Sequence, residues 1–234
     1  MSVAKNIGQI QEQISAAAQR SGRKPEEITL MAVSKTFPAE SIREAHAAGL
    51  RLFGESKVQE FSGKVEALKH LPDVEWHMIG HLQTNKANKA AELFSAIDSV
   101  DSLRLAEKLN LVCQQLGKRL PILIEINVGG EAAKSGIEPA SQEFEGILQA
   151  VGQLDQLTIH GLMTVPPFTD DPQSARPFFR KLREIRDQIS ARRIPAVAMD
   201  VLSMGMSHDF EVAIEEGSTC VRVGTAIFGE RKKL

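Results

Sequence analysis

The sequence predicts one α/β domain folded as a (β/α)8 barrel with an extra helix at its N-terminus. Short apolar runs rich in Val, Ile and Leu alternate with amphipathic helical segments along the 234 residues, and eight strands can be counted. The length is close to that typical of such barrels. No linker, composition break, solenoid-period repeat or low-complexity segment interrupts the alternation. The competing arrangement, a doubly wound open sheet, more often carries a Gly-rich first turn, and the first turn here reads VSKTFP.

Taken in order, Ile7, Ile10, Ile14 and Ala17 recur at helical spacing, so a helix precedes the first strand and stops near Ser21-Gly22. The first strand lies in ITLMAVSK, residues 28–35, where five of the six residues from Ile28 to Val33 are apolar with no helical period. That pattern fits a strand covered on both faces. Alternation puts Met31, Val33 and Lys35 on one side and Leu30, Ala32 and Ser34 on the other. A helix from Pro38 to Ala48 has proline near its first position and Gly49 just past its end. Then come a strand Leu50 to Gly54, a helix Ser56 to Leu71, a strand Glu75 to Gly80 and a helix Gln83 to Phe94. The strand Ala96 to Val100, the helix Leu103 to Leu116, the strand Pro121 to Val128, the helix Pro139 to Leu154 and the strand Thr158 to Val165 follow. The next helix begins late, because Pro172 and Pro177 belong in or before a first turn; it carries Phe178, Leu182, Ile185 and Ile189 on one face. The last strands are Val201 to Ser203 and Thr219 to Val223, separated by a helix from Phe210 to Glu216 that Gly217 ends.

A net charge of −2 offers no polyanion-binding surface, so nucleic acid is not an expected partner. The N-terminus is polar and helix-like, and no run approaches the roughly 18 apolar residues of a membrane span, which points to a cytoplasmic protein without membrane contact, expected as a monomer. Cys113 and Cys220 form neither a disulfide framework nor a CxxC and are expected buried and reduced. His77 and His81 are four apart, but Gly80 and a strand end between them prevent a helical HxxxH face, so no metal site is expected.

The active face of a barrel is where its strands end, and phosphate is commonly held after strands seven and eight. Lys35 sits at the first strand's end, where loss of solvation would favour the neutral amine that attacks carbonyls; the same placement also suits an ammonium that reaches water. The last two loops read SMGMSHDF at 203–210 and RVGTAIFG at 222–229. Gly205 and Gly224 allow close backbone approach, and Ser203, Ser207 and Thr225 offer hydroxyls beside N–H groups, the makings of a phosphate cup. Arg222 shares a side of its strand with Gly224 and Cys220. It would either pair with an inward carboxylate such as Glu125 or donate to a ligand acceptor, and a ring nitrogen facing it would stay unprotonated.

Together AVSKTFPAE, FGES-VQE, EWHMIGHLQTNK, INVGGEAAKSGI, GLMTVPP, LSMGMSHD and VRVGTAIFGER resemble the signature segments of the pyridoxal phosphate homeostasis proteins, single-domain relatives of the barrel half of alanine racemase. The resemblance runs from the first strand to residue 231 in the expected order. It implies that Lys35 carries pyridoxal 5′-phosphate as a Schiff base. It further implies that Ser203, Gly205, Met206, Ser207, Gly224 and Thr225 form the phosphate cup, that Arg222 faces the pyridine nitrogen, and that Asn127 and Met163 lie near the ring. The chain departs from the family's FGEN at Ser56, which lacks an amide donor, and Lys57 adds a second amine there. The tyrosine that related racemases borrow from a second domain has no counterpart, since the chain contains no tyrosine. A protein that holds, buffers or delivers the cofactor, with apo pyridoxal phosphate enzymes as recipients, is therefore expected over the alternative, an amino-acid racemase or related enzyme. Such an enzyme would need a base near Lys35, for which His77 is the candidate; it could equally be a barrel histidine satisfied by a neighbour. A cofactor-free Schiff-base aldolase would instead need an acid-base carboxylate beside Lys35. Lys57 and Lys134, on the same rim, could take the aldehyde during transfer.

Overall fold

A computed structural model describes residues 2–131 and 135–230. Eight parallel strands close into a barrel in chain order: β1 (Thr29–Val33), β2 (Leu52–Glu55), β3 (Glu75–Met78), β4 (Ala96–Val100), β5 (Leu120–Glu125), β6 (Leu157–Met163), β7 (Val197–Met206) and β8 (Cys220–Val223). The last strand returns to the first with Thr29 opposite Cys220 and Met31 opposite Arg222. The helices α1 (Val3–Arg20), α2 (Ala39–Ala47), α3 (Val58–Leu68), α4 (Ala87–Leu93), α5 (Leu103–Leu116), α6 (Gln142–Ala150), α7 (Arg176–Arg192), α8 (Phe210–Glu215) and the short α9 (Thr225–Phe228) complete the order. The extra helix α1 packs on α8 and α9, buries Ile7, Ile10, Ile14, Ala17 and Ala18, and donates from Asn6 Nδ2 to Ile227 O at 2.8 Å.

The main apolar core lies between strands and helices. One satellite of it is aromatic, with Trp76 against Phe53 and Phe61, and Phe61 against Phe94, at centroid separations of 4.6–5.2 Å. Parallel strands sealed on both faces explain why their apolar runs carry no clean alternation.

Helix ends are set by caps rather than by the edges of the apolar pattern. Ser102 and Ser141 accept from Leu105 N and Phe144 N, and so start α5 and α6. The helix expected from Gln83 begins as a 3-10 turn at Thr84–Lys86, and the one expected from Pro139 starts only after its serine cap. The largest difference is β7, which runs over ten residues where the sequence pattern suggests only Val201 to Ser203. Met199 at φ 58° and the pairing shift against β6 bend the strand, and exposed Asp200 breaks its apolar alternation.

Candidate functional site

Lys35 lies two residues past the end of β1, half-buried, in a turn closed by the Phe37 N–H donating to Ser34 O at 3.1 Å. A Cβ on Gly54 would come within 2.8 Å of Met31 Sδ, so these neighbouring positions face the barrel interior, the side alternation gives to Lys35. The end of β8 packs on the end of β1, since a Cβ on Gly224 would meet Val33 O at 3.2 Å. That register brings Gly224 and the exposed Thr225, first residue of α9, to the rim beside Lys35.

The loop after β7 folds onto the same spot. Ser207 Oγ accepts from Gly224 N at 3.2 Å and from Ala226 N at 3.5 Å, so one hydroxyl and two backbone N–H groups converge. Gly205 sits at φ 93°, and a Cβ there would lie 2.5 Å from Ala213 Cβ and 2.9 Å from Phe210 Cα. Only glycine lets the strand end close against α8 at this point. Half-buried Met206 donates its N–H to Asp209 Oδ1 at 2.6 Å, fixing the turn that presents Ser207.

Ser203 does not join that cluster. It is fully buried within β7, and its Oγ accepts from Arg222 Nη1 at 2.7 Å, while Arg222 Nη2 donates to Thr164 O at 2.7 Å. The ion pair with Glu125, one of the two readings of Arg222, is not formed. Arg222 is 3 % exposed, and its Nε–H has no hydrogen-bond partner among the described residues. That nitrogen is not among the buried atoms left without a partner, so its N–H stays open to an acceptor that a ligand could supply. Burial pulls its pKa down, opposed by Cys220, Asp98, Glu125 and Asp209.

Glu125 is buried at the end of β5, with Oε2 unpartnered among the described residues. Burial, reinforced by Asp101 and offset in part by Arg222 and His81, raises its pKa to about 7. Between pH 4.5 and 7 the unfolded chain ionises this group while the native state keeps the proton. Its stabilising contribution is therefore complete below pH 4.5 and is lost as pH rises through 7. Glu125→Gln, neutral throughout, is expected to gain stability relative to wild type across that window, by up to about 3 kcal/mol at pH 8; urea melts of the cofactor-free proteins at pH 4.5 and 8 check this.

The remaining expectations divide. Met163 ends β6, fully buried. Asn127 is buried, but its side chain is spent locally, accepting from Gly130 N at 3.0 Å and donating to Glu131 O at 2.9 Å, so it shapes the loop after β5. His77 lies at the other mouth of the barrel, in a cavity of about 650 Å3 lined by strand beginnings such as Thr29, Ala96 and Thr219. It pairs with Asp98, Nδ1 to Oδ1 at 3.0 Å; burial works against its charged form, but Asp98 and Glu75 outweigh this and raise its pKa. The satisfied-histidine reading describes it, and it is no base for Lys35. His81 Nδ1 contacts Asp101 Oδ2 at 2.7 Å, and no cluster of three metal-ligating side chains occurs among the described residues. Ser56 packs under Gly80 on the rim, Lys57 is exposed, and Lys134 lies outside the described residues. Glu55, Glu60 and Lys64, all bonded to the turn that carries Lys35, have no role in the sequence reading, although Glu55 and Glu60 fall within FGES-VQE and Glu60 and Lys64 are spaced four apart.

An amine, a deep guanidinium with a free donor and a hydroxyl cup ringed by N–H groups suit a ligand bearing an aldehyde, a ring acceptor and a phosphate. The class is that of the alanine racemase barrels: the family described as "Alanine racemase, N-terminal domain" matches residues 6–232. The alanine racemase of Clostridium difficile 630 shares the fold at TM-score 0.75 and 14% identity, with 99% of this chain covering 57% of that one. Within that class the chain belongs to the pyridoxal phosphate homeostasis protein family. The member from Aquifex aeolicus (strain VF5) is 45% identical over 99% of this chain and all of its own length. That from Escherichia coli (strain K12) is 44% identical over 98% and 97%. PipY of Synechococcus elongatus, solved with PLP bound, matches at TM-score 0.84 and 37% identity over 97% of this chain and all of that one; its structure without PLP matches at 0.88.

Proposed function

We propose that this chain binds pyridoxal 5′-phosphate reversibly at the C-terminal face of its barrel, with Lys35 as covalent anchor, and buffers or delivers it to apo enzymes rather than catalysing turnover. The observation that carries the reading is the convergence of Lys35, Arg222 and the Ser207–Gly224–Ala226 cluster on adjacent strands β1, β8 and β7. The cofactor supplies an aldehyde that condenses with an amine. The protein supplies the amine, a Ser207 hydroxyl with backbone N–H groups of Gly224, Thr225 and Ala226 for the phosphate, and Arg222 for the ring nitrogen. Ser203 and the Thr164 carbonyl orient that guanidinium. Opposite a permanent cation the ring nitrogen stays unprotonated, which makes a weaker electron sink and suits holding over catalysis. The missing tyrosine and the placement of His77 at the opposite mouth support the same choice.

No helix among the described residues is long and apolar enough to cross a membrane. The cytoplasm, where apo enzymes of this cofactor are made, is the compartment that suits the role, and the barrel would act there as a monomer.

The test is to incubate the loaded protein with an apo-aminotransferase and, separately, with L-alanine. Aminotransferase activity should return, and no D-alanine should accumulate over many equivalents. Sustained racemisation would contradict the carrier reading and make His81, held by Asp101, the first residue to replace.

A further inference from the structure

Lys35 sits on a strained turn. Thr36 adopts φ 68°, a left-handed conformation that costs a β-branched residue on the order of 1–2 kcal/mol. Both peptide units flanking Lys35 are held from outside the barrel. The Thr36 N–H donates to Glu60 Oε1 at 2.5 Å. Lys64 Nζ donates to Ser34 O at 3.1 Å, to Glu55 Oε1 at 3.0 Å and to Glu60 Oε1 at 2.7 Å, and Ser34 Oγ donates to Glu55 Oε1 at 2.7 Å. Glu55 is fully buried and the Lys64 side chain is only 12% exposed, so the inner part of this network works away from bulk water, while the Glu60 side chain, 25% exposed, closes it at the surface. Glu60 and Lys64 lie one turn apart on α3, so a single rigid helix grips the turn at two points.

We propose that Glu55, Glu60 and Lys64 are positioning residues that clamp the Lys35 turn in its strained conformation and thereby set how long the chain retains its cofactor. The inference rests on Lys35 being the covalent anchor. A lysine on a turn free to relax spends part of its time misaligned with the phosphate cup and with Arg222, so bound cofactor is released faster. The Glu60 charge fits a contact that stays engaged at neutral pH. Burial opposes ionisation of Glu60, but the bonds from Lys64 and the Thr36 N–H outweigh it and hold its pKa below the ordinary carboxylate range. Burial pushes Glu55 up, against the pull of Lys64 and Ser34.

The test compares release from wild type, Glu60→Ala and Glu60→Gln, each loaded with pyridoxal phosphate, by following transfer to excess apo-aminotransferase, with borohydride trapping of each loaded protein and a thermal melt of each empty one. Glutamine keeps an oxygen that can accept from the Thr36 N–H; alanine does not. The clamp predicts that Glu60→Ala still yields the trapped adduct at Lys35 but releases cofactor about tenfold faster, as expected for loss of one charge-assisted hydrogen bond, with Glu60→Gln close to wild type. Release from Glu60→Ala at the wild-type rate overturns the clamp while leaving the anchor intact. Equal acceleration in both variants, tracking equal losses of melting temperature, also overturns it, because the effect is then one of folding alone. Absence of any Lys35 adduct in wild type overturns the anchor and the clamp with it. Should Glu60→Ala fail to fold, Lys64→Met serves in its place: faster release supports the clamp, and a wild-type rate overturns it.

Discussion

Lys35→Ala is expected to abolish the borohydride-reducible linkage to pyridoxal phosphate and to weaken retention by about 100-fold, equivalent to about 2.7 kcal/mol. The substitution removes the amine proposed to condense with the aldehyde. It leaves the Ser207 hydroxyl with its Gly224 and Ala226 N–H neighbours and the Arg222 anchors at Ser203 and Thr164 unchanged. Residual binding should therefore persist and stay sensitive to competing phosphate, because the hydroxyl and backbone N–H groups proposed to hold the phosphate do not depend on the lysine. Equilibrium dialysis with and without borohydride separates the covalent from the non-covalent share. Folding should change little, since Lys35 lies outside the main apolar core.

The second large effect is on stability. Gly161→Ala in β6 is expected to cost about 4 kcal/mol, a fall of about 10 °C in Tm for a chain of this size. A Cβ there would stand 1.8 Å from Val201 O and 2.7 Å from Val201 C, so it meets backbone rather than a side chain that could swing away. Gly161 pairs with Val201 just where the register between β6 and β7 shifts, so the two strands would have to part. The damage would reach the site through the same strands, because β6 leads to the Thr164 carbonyl and β7 carries the Ser203 hydroxyl that together hold Arg222. Gly152, with nothing within 4 Å of an added Cβ and no left-handed backbone, supplies the control: Gly152→Ala should melt within about 2 °C of wild type.

The barrel is legible because strands sealed on both faces leave short apolar runs between helical segments, and because Gly49 and Gly217 follow the helices they are expected to end. Lys35 and the Ser207–Gly224 pair lie past the ends of neighbouring strands, as read, because strand ends can be placed to within a residue or two by such runs. Ser203 was misassigned for the converse reason. The positive φ of Met199 and exposed Asp200 hid half of β7, so a residue facing Arg222 inside the barrel read as part of the loop beyond it. Alternation placed Arg222 inward but could not name its partners, since the strand shifts at Gly161 and Ser203 decide which acceptors come level with it. The family resemblance puts Asn127 near the ring, yet the loop after β5 claims its amide. The network behind Lys35 was illegible apart from its helical spacing, because its bonds to Ser34 and Thr36 exist only once α3 has packed on the barrel.

In the proposed function one lysine holds the cofactor. The direct measurement is borohydride reduction of the wild-type protein loaded with one equivalent of pyridoxal phosphate, followed by proteolysis and mass mapping of the modified peptide. The account predicts a single phosphopyridoxyl label on Lys35. A label on Lys57 or Lys134 with Lys35 unmodified would contradict it.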